Sequence, residues 1–120
     1  MSTPPHSSLL FNEIRFERMA CGDVPGFFEL AEEYFTDVRK RMGEWPGLLA
    51  AREYRRLSED FHRCKGGAAL FGLERLYSLF GSVENESEVE LVDSHLERFV
   101  SEINAAETAV VARRAKSTDA

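Results

Sequence analysis

The sequence predicts an all-α protein: an up-down antiparallel four-helix bundle with a short additional N-terminal helix. Three observations predict it. Apolar residues recur every three or four positions through four separate stretches, the period of a buried helix face. No run alternates apolar and polar residues as a half-buried strand would. The stretches are joined by short gaps marked by Gly, Pro and Asn, and short links between helices make neighbours antiparallel. With 120 residues, 43% apolar and 30% charged, the chain has material for one globular core.

Residues 1–8 are polar, carry Pro4 and Pro5, and are expected to be a flexible N-terminus in which His6 is inert. The folded domain is expected over residues 9–113. Leu9 to Ala20, with Leu10, Phe11, Ile14 and Met19 among charges, reads as a short amphipathic helix covering one end of the bundle. Gly22 stops it, Asp23 can cap the next helix, and Pro25 suits that helix's first turn. From Val24 the positions Phe27, Ala31, Tyr34, Val38 and Met42 form one apolar face, widened by Phe28 and Phe35. Pro46 cannot donate to the carbonyl of Met42, so this helix is expected to end or kink at Gly43–Gly47, with one more turn over Leu48–Ala51. Trp45 is assigned to sealing the core, although its amphipathic ring also suits recognition.

The central helix is expected over Glu53–Phe71, with Tyr54, Leu57, Phe61, Cys64, Ala68 and Phe71 as its buried stripe, and Gly72 breaks it. Leu73, Leu76, Leu79, Phe80 and Val83 mark a fourth helix of about three turns, weakened by Gly81. Asn85-Glu86-Ser87 reads as a turn, and Ser87 with Glu90 forms a capping-box signature. Val92, Leu96, Phe99, Ile103, Ala106 and Val110 then give the last helix a near-heptad seam, with His95 beside it as a packed or surface residue. Residues 114–120 are expected to be a flexible C-terminus.

The net charge of −6 argues against a nucleic-acid binder, which neutralises phosphates with clustered Lys and Arg. Arg52, Arg55, Arg56, Arg63 and Lys65 nevertheless make a basic patch or a solvated helix face in the middle of the chain. Cys21 and Cys64 have neither metal-ligand spacing nor a disulfide framework, and Cys64 falls on the apolar stripe. Residues 1–8 do not resemble a signal peptide, and no stretch approaches the ~20 apolar residues of a membrane span. The expectation is a cytoplasmic, reduced, monomeric protein, acting as a stand-alone module.

Most site chemistries lack their residues. There is no GxxxxGK[ST] loop, no HExxH and no paired Cys/His ligand set. Di-metal bundles need two Glu-x-x-His pairs; Glu59–His62 supplies one, and the last helix has Val92 where the second would need Glu. A nucleophilic thiol is unpromising, since Cys64 faces inward. His62 remains. It follows Phe61 on the stripe, so it is turned roughly 100° outward. Ser58, Gly66 and Ala69 leave its face free of bulk, and two consecutive glycines inside a helix cost about 1 kcal/mol each relative to alanine. Lys65, three residues on, can place an ammonium beside an anion on His62. A neutral imidazole is a nucleophile able to form a covalent adduct. The local logic is a histidine that accepts and returns a phosphoryl group. An isolated histidine would ordinarily be a satisfied surface or core residue; it is this setting that shifts the balance.

His62-x-x-Lys65-Gly66-x-x-x-x-x-Gly72 resembles the H-x-x-K-G-x-x-x-x-x-G signature of histidine-containing phosphotransfer (HPt) domains. Leu76 and Val83-Glu84 also stand where that family has Leu and an apolar residue followed by Glu. The resemblance implies His62 as phosphoacceptor on Nε2, Lys65 as its cationic neighbour, Gly66 as the clearance residue and a structural Gly72. It implies a phosphohistidine carrier, not an enzyme with turnover, relaying phosphoryl groups between receiver-domain aspartates of hybrid sensor kinases and response regulators. No cofactor of its own is expected; Mg²⁺ is expected in the partner receiver. Two departures stand out: Gly67, where the family often has Ser, and Cys64, where Leu is usual.

Two other readings share these residues. The phosphotransfer domain of a chemotaxis-type kinase has a similar motif, but usually a second histidine near Val83-Glu84, which Ser82 and Val83 do not provide. A non-catalytic helical adaptor would keep the bundle without the intact His62, Lys65 and Gly66 set. Gly67 takes no role from the motif.

Overall fold

The computed structural model describes residues 10–83 and 92–118, and every regular element among them is helical. The helices are α1 (Glu13–Ala20), α2 (Val24–Ala50), α3 (Tyr54–Leu70), α4 (Glu74–Val83) and α5 (Val92–Thr118). Helix α2 packs on α3, α3 on α4, α4 on α5, and α5 closes back on α2, so four helices ring one core. No helix among the described residues is long and apolar enough to cross a membrane.

The expected stripes face the core, with Tyr34, Met42, Tyr54 and Leu96 half-buried at its edge. Leu57, Phe61, Cys64, Ala68 and Phe71 line the core from α3, Phe27, Phe28, Ala31, Phe35 and Val38 from α2, and Phe99, Ile103, Ala106 and Val110 from α5. One end is filled by Trp45, whose ring centroid lies 4.8 Å from Phe61 and 5.4 Å from Phe99 at steep interplanar angles, the edge-to-face arrangement aromatic pairs prefer. Trp45 is fully buried, a core residue.

Trp45 also accounts for the main correction. Of the two outcomes expected at Gly43–Gly47, an end or a kink, the end does not occur: helix α2 continues through Pro46 to Ala50. Proline inside a helix costs about 3 kcal/mol through the lost hydrogen bond and ring clash. Continuity keeps Trp45 in the core and Leu48 and Leu49 packed against it, and tertiary packing overrides the local penalty.

The chain then reverses twice by the same device. After α2, Arg52 adopts a left-handed conformation (φ 57°), the Arg52 N–H donates to Leu49 O, and the Glu53 N–H donates to Leu48 O. After α3, Gly72 (φ 72°) does likewise, with its N–H donating to Ala69 O and the Leu73 N–H to Ala68 O. Both are Schellman caps, which satisfy the carbonyls a helix end leaves open.

Helix α1 begins later than its apolar pattern suggests, because Asn12 caps it: the Asn12 Oδ1 accepts from the Arg15 N–H at 3.0 Å. Leu10 and Phe11 therefore precede the helix, and Phe11 packs on the core from outside it. The Asn12 N–H donates to Gly72 O at 2.8 Å, and Arg113 of α5 pairs with Glu13 while covering the Phe16 ring at 4.6 Å. Helix α5 extends past Arg113 as far as Thr118. The expected flexible N-terminus with His6, the Asn85–Ser87 turn, the Ser87–Glu90 capping box, Glu84 and the side chain of His95 lie outside the described residues.

Candidate functional site

The candidate site is the outer face of α3, where four residues follow from helical spacing alone. His62 is exposed, Ser58 and Ala69 are half-buried on the same face, and Gly66 is exposed one turn beyond His62. The buried stripe fixes this orientation, because Phe61 and Cys64 on either side of His62 are at most 1% exposed.

The two adjacent glycines do different things. A β-carbon on Gly66 would meet nothing within 4 Å among the described residues outside its own helix backbone. Packing among those residues thus gives no reason for glycine there, and the space above it is open. A β-carbon on Gly67 would lie 2.3 Å from Tyr34 Cε1 and 2.6 Å from Cδ1, closer than atoms can approach. Tyr34 occupies that space, its hydroxyl donating to the Cys64 carbonyl at 2.7 Å. Burial pushes the Tyr34 phenol far above its ordinary value, with smaller contributions from Cys64 and Asp37, so it stays a neutral donor. Gly67, without a role in the sequence, is the seat of Tyr34 and braces α2 against the turn of α3 that carries Lys65 and Gly66.

Lys65 is half-buried and leans over α4. Its Nζ lies 5.6 Å from the centroid of the Tyr77 ring, within cation–π range. A β-carbon on Gly81 would lie at ordinary contact distance, 3.5 Å, from Lys65 Cδ, so the lysine stem passes over Gly81 of α4. Sequence reasoning counted Gly81 only as a weak point and did not single out Tyr77; the signal was their i, i+4 spacing on the helix facing Lys65.

Behind the site, Asp60 is the one buried charged residue among those described. Its Oδ1 accepts from Arg41 Nη1 at 2.7 Å, and the Arg41 Nε donates to Asp37 Oδ2 at 2.8 Å. The Asp37 bond, with the nearby Asp37 and Asp60 charges, outweighs desolvation and raises the Arg41 pKa. This ion pair ties α2 to α3 two residues before His62. Cys64 is buried and its thiol is pushed up from the ordinary value to about 12, chiefly by desolvation, so it is no nucleophile. In the basic patch, Arg55 pairs loosely with Glu59 at 3.6 Å in full solvent exposure, a solvated helix face.

Beyond Ala69 the face opens into a cleft of about 370 Å³ between α1 and the α3–α4 corner, walled by Ile14, Arg15, Arg18 and Tyr77. Ile14, Leu70 and Tyr77 stand out as exposed large apolar side chains, 64%, 41% and 42% accessible. Among the described residues there is no group of three His, Cys, Asp or Glu placed to hold a metal ion.

A family model described as "Hpt domain" matches residues 27–109, more than half of the chain. The chain belongs to the Hpt family. Hpt domains are helical bundles that carry phosphoryl groups on histidine in two-component signalling and interact with receiver domains, and the ring of α2 to α5 is that architecture. No curated protein and no solved structure matches the chain. The Hpt match covers α3 whole and includes both His62 and Tyr77.

Proposed function

We propose that this Hpt domain is a phosphorelay intermediate that accepts a phosphoryl group on His62 from a receiver aspartate and delivers it to another. The observation that carries this is the contrast at the double glycine: Gly66 leaves open space beside an exposed His62, and no contact among the described residues requires it.

In the forward step the lone pair of His62 Nε2 attacks the aspartyl-phosphate phosphorus in line. The P–N bond forms as the P–O bond breaks, the electron pair leaves with the carboxylate, and the Nδ1 proton passes to solvent. The second aspartate reverses these events. Such transfer depends on alignment and charge neutralisation more than on covalent assistance. Lys65 supplies positive charge beside His62, and Mg²⁺ belongs to the receiver. Gly66 lets the receiver's backbone approach the imidazole. The receiver docks over α3 and the α1 cleft, where Ile14, Leu70 and Tyr77 offer apolar contact and Arg15 and Arg18 offer positive charge toward an acidic phosphorylation site. The protein acts as a cytoplasmic monomer without turnover of its own.

Incubation with receivers charged by acetyl phosphate tests this proposal. Acid-labile label is expected on the wild type and not on His62→Gln. If every receiver leaves the wild type unlabelled, the relay reading fails and a non-catalytic adaptor takes its place.

A further inference from the structure

We propose that Tyr77 is a positioning residue that holds the Lys65 ammonium over α4 while His62 is unphosphorylated and releases it to the phosphoryl group once His62 is modified. The inference rests on the reading of His62 as phosphoacceptor. It assigns the lysine two stations, one of them built by residues outside the α3 motif.

The first station is defined at two points along the side chain. Lys65 Cδ passes over Gly81 of α4, 3.5 Å from where a β-carbon would stand, and four residues earlier Tyr77 presents its ring to Nζ at 5.6 Å. An alanine at position 81 would make ordinary van der Waals contact with the stem. The ring face attracts the cation through its quadrupole, an interaction worth little in solvent and readily outbid. The second station is created by chemistry. Phosphorylation places a group of charge about −2 on a residue three positions from Lys65, on a neighbouring part of the same helix surface. Direct attraction between opposite charges at that range exceeds the pull of an exposed ring. Lysine is suited to such a move, being a point charge on a flexible four-carbon stem, whereas arginine would be held by its planar fork. The release also uncovers the Tyr77 face, which lines the cleft assigned to the receiver.

The test charges His62 with phosphoramidate, which needs no receiver: its P–N bond breaks, phosphoryl goes to the imidazole and ammonia leaves. In the uncharged wild type, NMR of the Lys65 ε-methylene should show a ring-current upfield shift. Tyr77→Leu should abolish it and Tyr77→Phe should keep it. Charging should collapse the shift in the wild type. Tyr77→Leu should lengthen the phosphohistidine half-life roughly two- to fivefold, the ratio set by an exposed cation–π contact. In a Lys65→Ala background the same substitution should change nothing.

An absent ring-current shift, a shift that survives charging, or a Tyr77→Leu effect of equal size with and without Lys65 would each overturn the inference. Transfer from receivers is a separate matter. If receivers never label His62 while phosphoramidate charging still collapses the shift, the relay reading falls and the Lys65–Tyr77 device stands. Tyr77 is 42% exposed, so neither substitution strips the core.

Discussion

Gly66 and Gly67 are neighbours of one residue type in one helix, and their replacement by alanine should have opposite effects. For Gly66→Ala nothing among the described residues lies within 4 Å of the new methyl, so the whole helix-propensity gain of about 1 kcal/mol is realised. With an unfolding entropy of about 2.1 cal/mol/K per residue, that raises the Tm of a chain this long by roughly 4 °C. For Gly67→Ala the same gain is overcome by contact with Tyr34 Cε1 at 2.3 Å. Tyr34 is held by its bond to the Cys64 carbonyl and by the Phe35 and Phe71 rings, whose centroids lie 5.6 and 5.5 Å away. Overpacking costs about 1–3 kcal/mol and loss of the hydrogen bond about 1 kcal/mol. The net is a destabilisation of about 1–3 kcal/mol, a Tm lower by roughly 4–12 °C. Activity should separate from stability. Gly66→Leu should fold at least as well as the wild type yet transfer phosphoryl on the order of 100-fold more slowly, since a displacement of about 1 Å is enough for that. Thermal unfolding by circular dichroism and stopped-flow transfer from a charged receiver measure the two effects. A Gly66→Leu protein transferring at the wild-type rate, or a Gly67→Ala protein as stabilised as Gly66→Ala, would refute the reasoning.

Three further outcomes rest on separate contacts. Asp60→Ala should lower stability by about 2 kcal/mol in urea unfolding, less than the ~3–5 kcal/mol of a fully buried pair because Arg41 keeps Asp37 and is partly exposed. Arg52→Gly should raise stability by up to ~1 kcal/mol, because glycine occupies the left-handed region at φ 57° without the β-carbon penalty. The third is a pH dependence. Folding raises the Cys64 thiol from its ordinary value near 9 to about 12. The unfolded chain therefore loses this proton first, so the contribution is complete below about pH 9 and is lost as pH rises toward 12. Tyr34, also raised, adds to the loss above its ordinary value of about 10. Stability should fall between pH 9 and 11 by up to ~1.4 kcal/mol per pH unit for each group, and Cys64→Ala, though weaker throughout, should show the flatter slope.

Periodicity served the fold well because burial in a bundle is itself periodic: the stripe Leu57, Phe61, Cys64, Ala68 could face only one way. The proline rule, taken as a helix end, did not hold at Pro46, where a local rule met a non-local one. Nothing near Pro46 in sequence shows that Trp45 would be enclosed by Phe61 and Phe99. His62 and Lys65 were legible because helical spacing alone puts them on one face. The division of labour between Gly66 and Gly67 was not, since it depends on Tyr34, more than thirty positions earlier, crossing from α2. Asp60 and Tyr77 were missed for the same reason. An aspartate on a helix reads as solvent-facing until Arg41 is known to meet it, and a tyrosine gains meaning only when a lysine from another helix lies over its ring.

The central claim is that His62, on its open face, carries the phosphoryl group. Phosphorus-31 NMR of the purified protein, recorded after exposure to a charged receiver and removal of that receiver, tests it most directly. One phosphoramidate resonance is expected, stable in alkali and lost in acid, and absent from a His62→Gln protein of unchanged helix content. A resonance that persists in His62→Gln, or a wild-type protein that shows none, would contradict it.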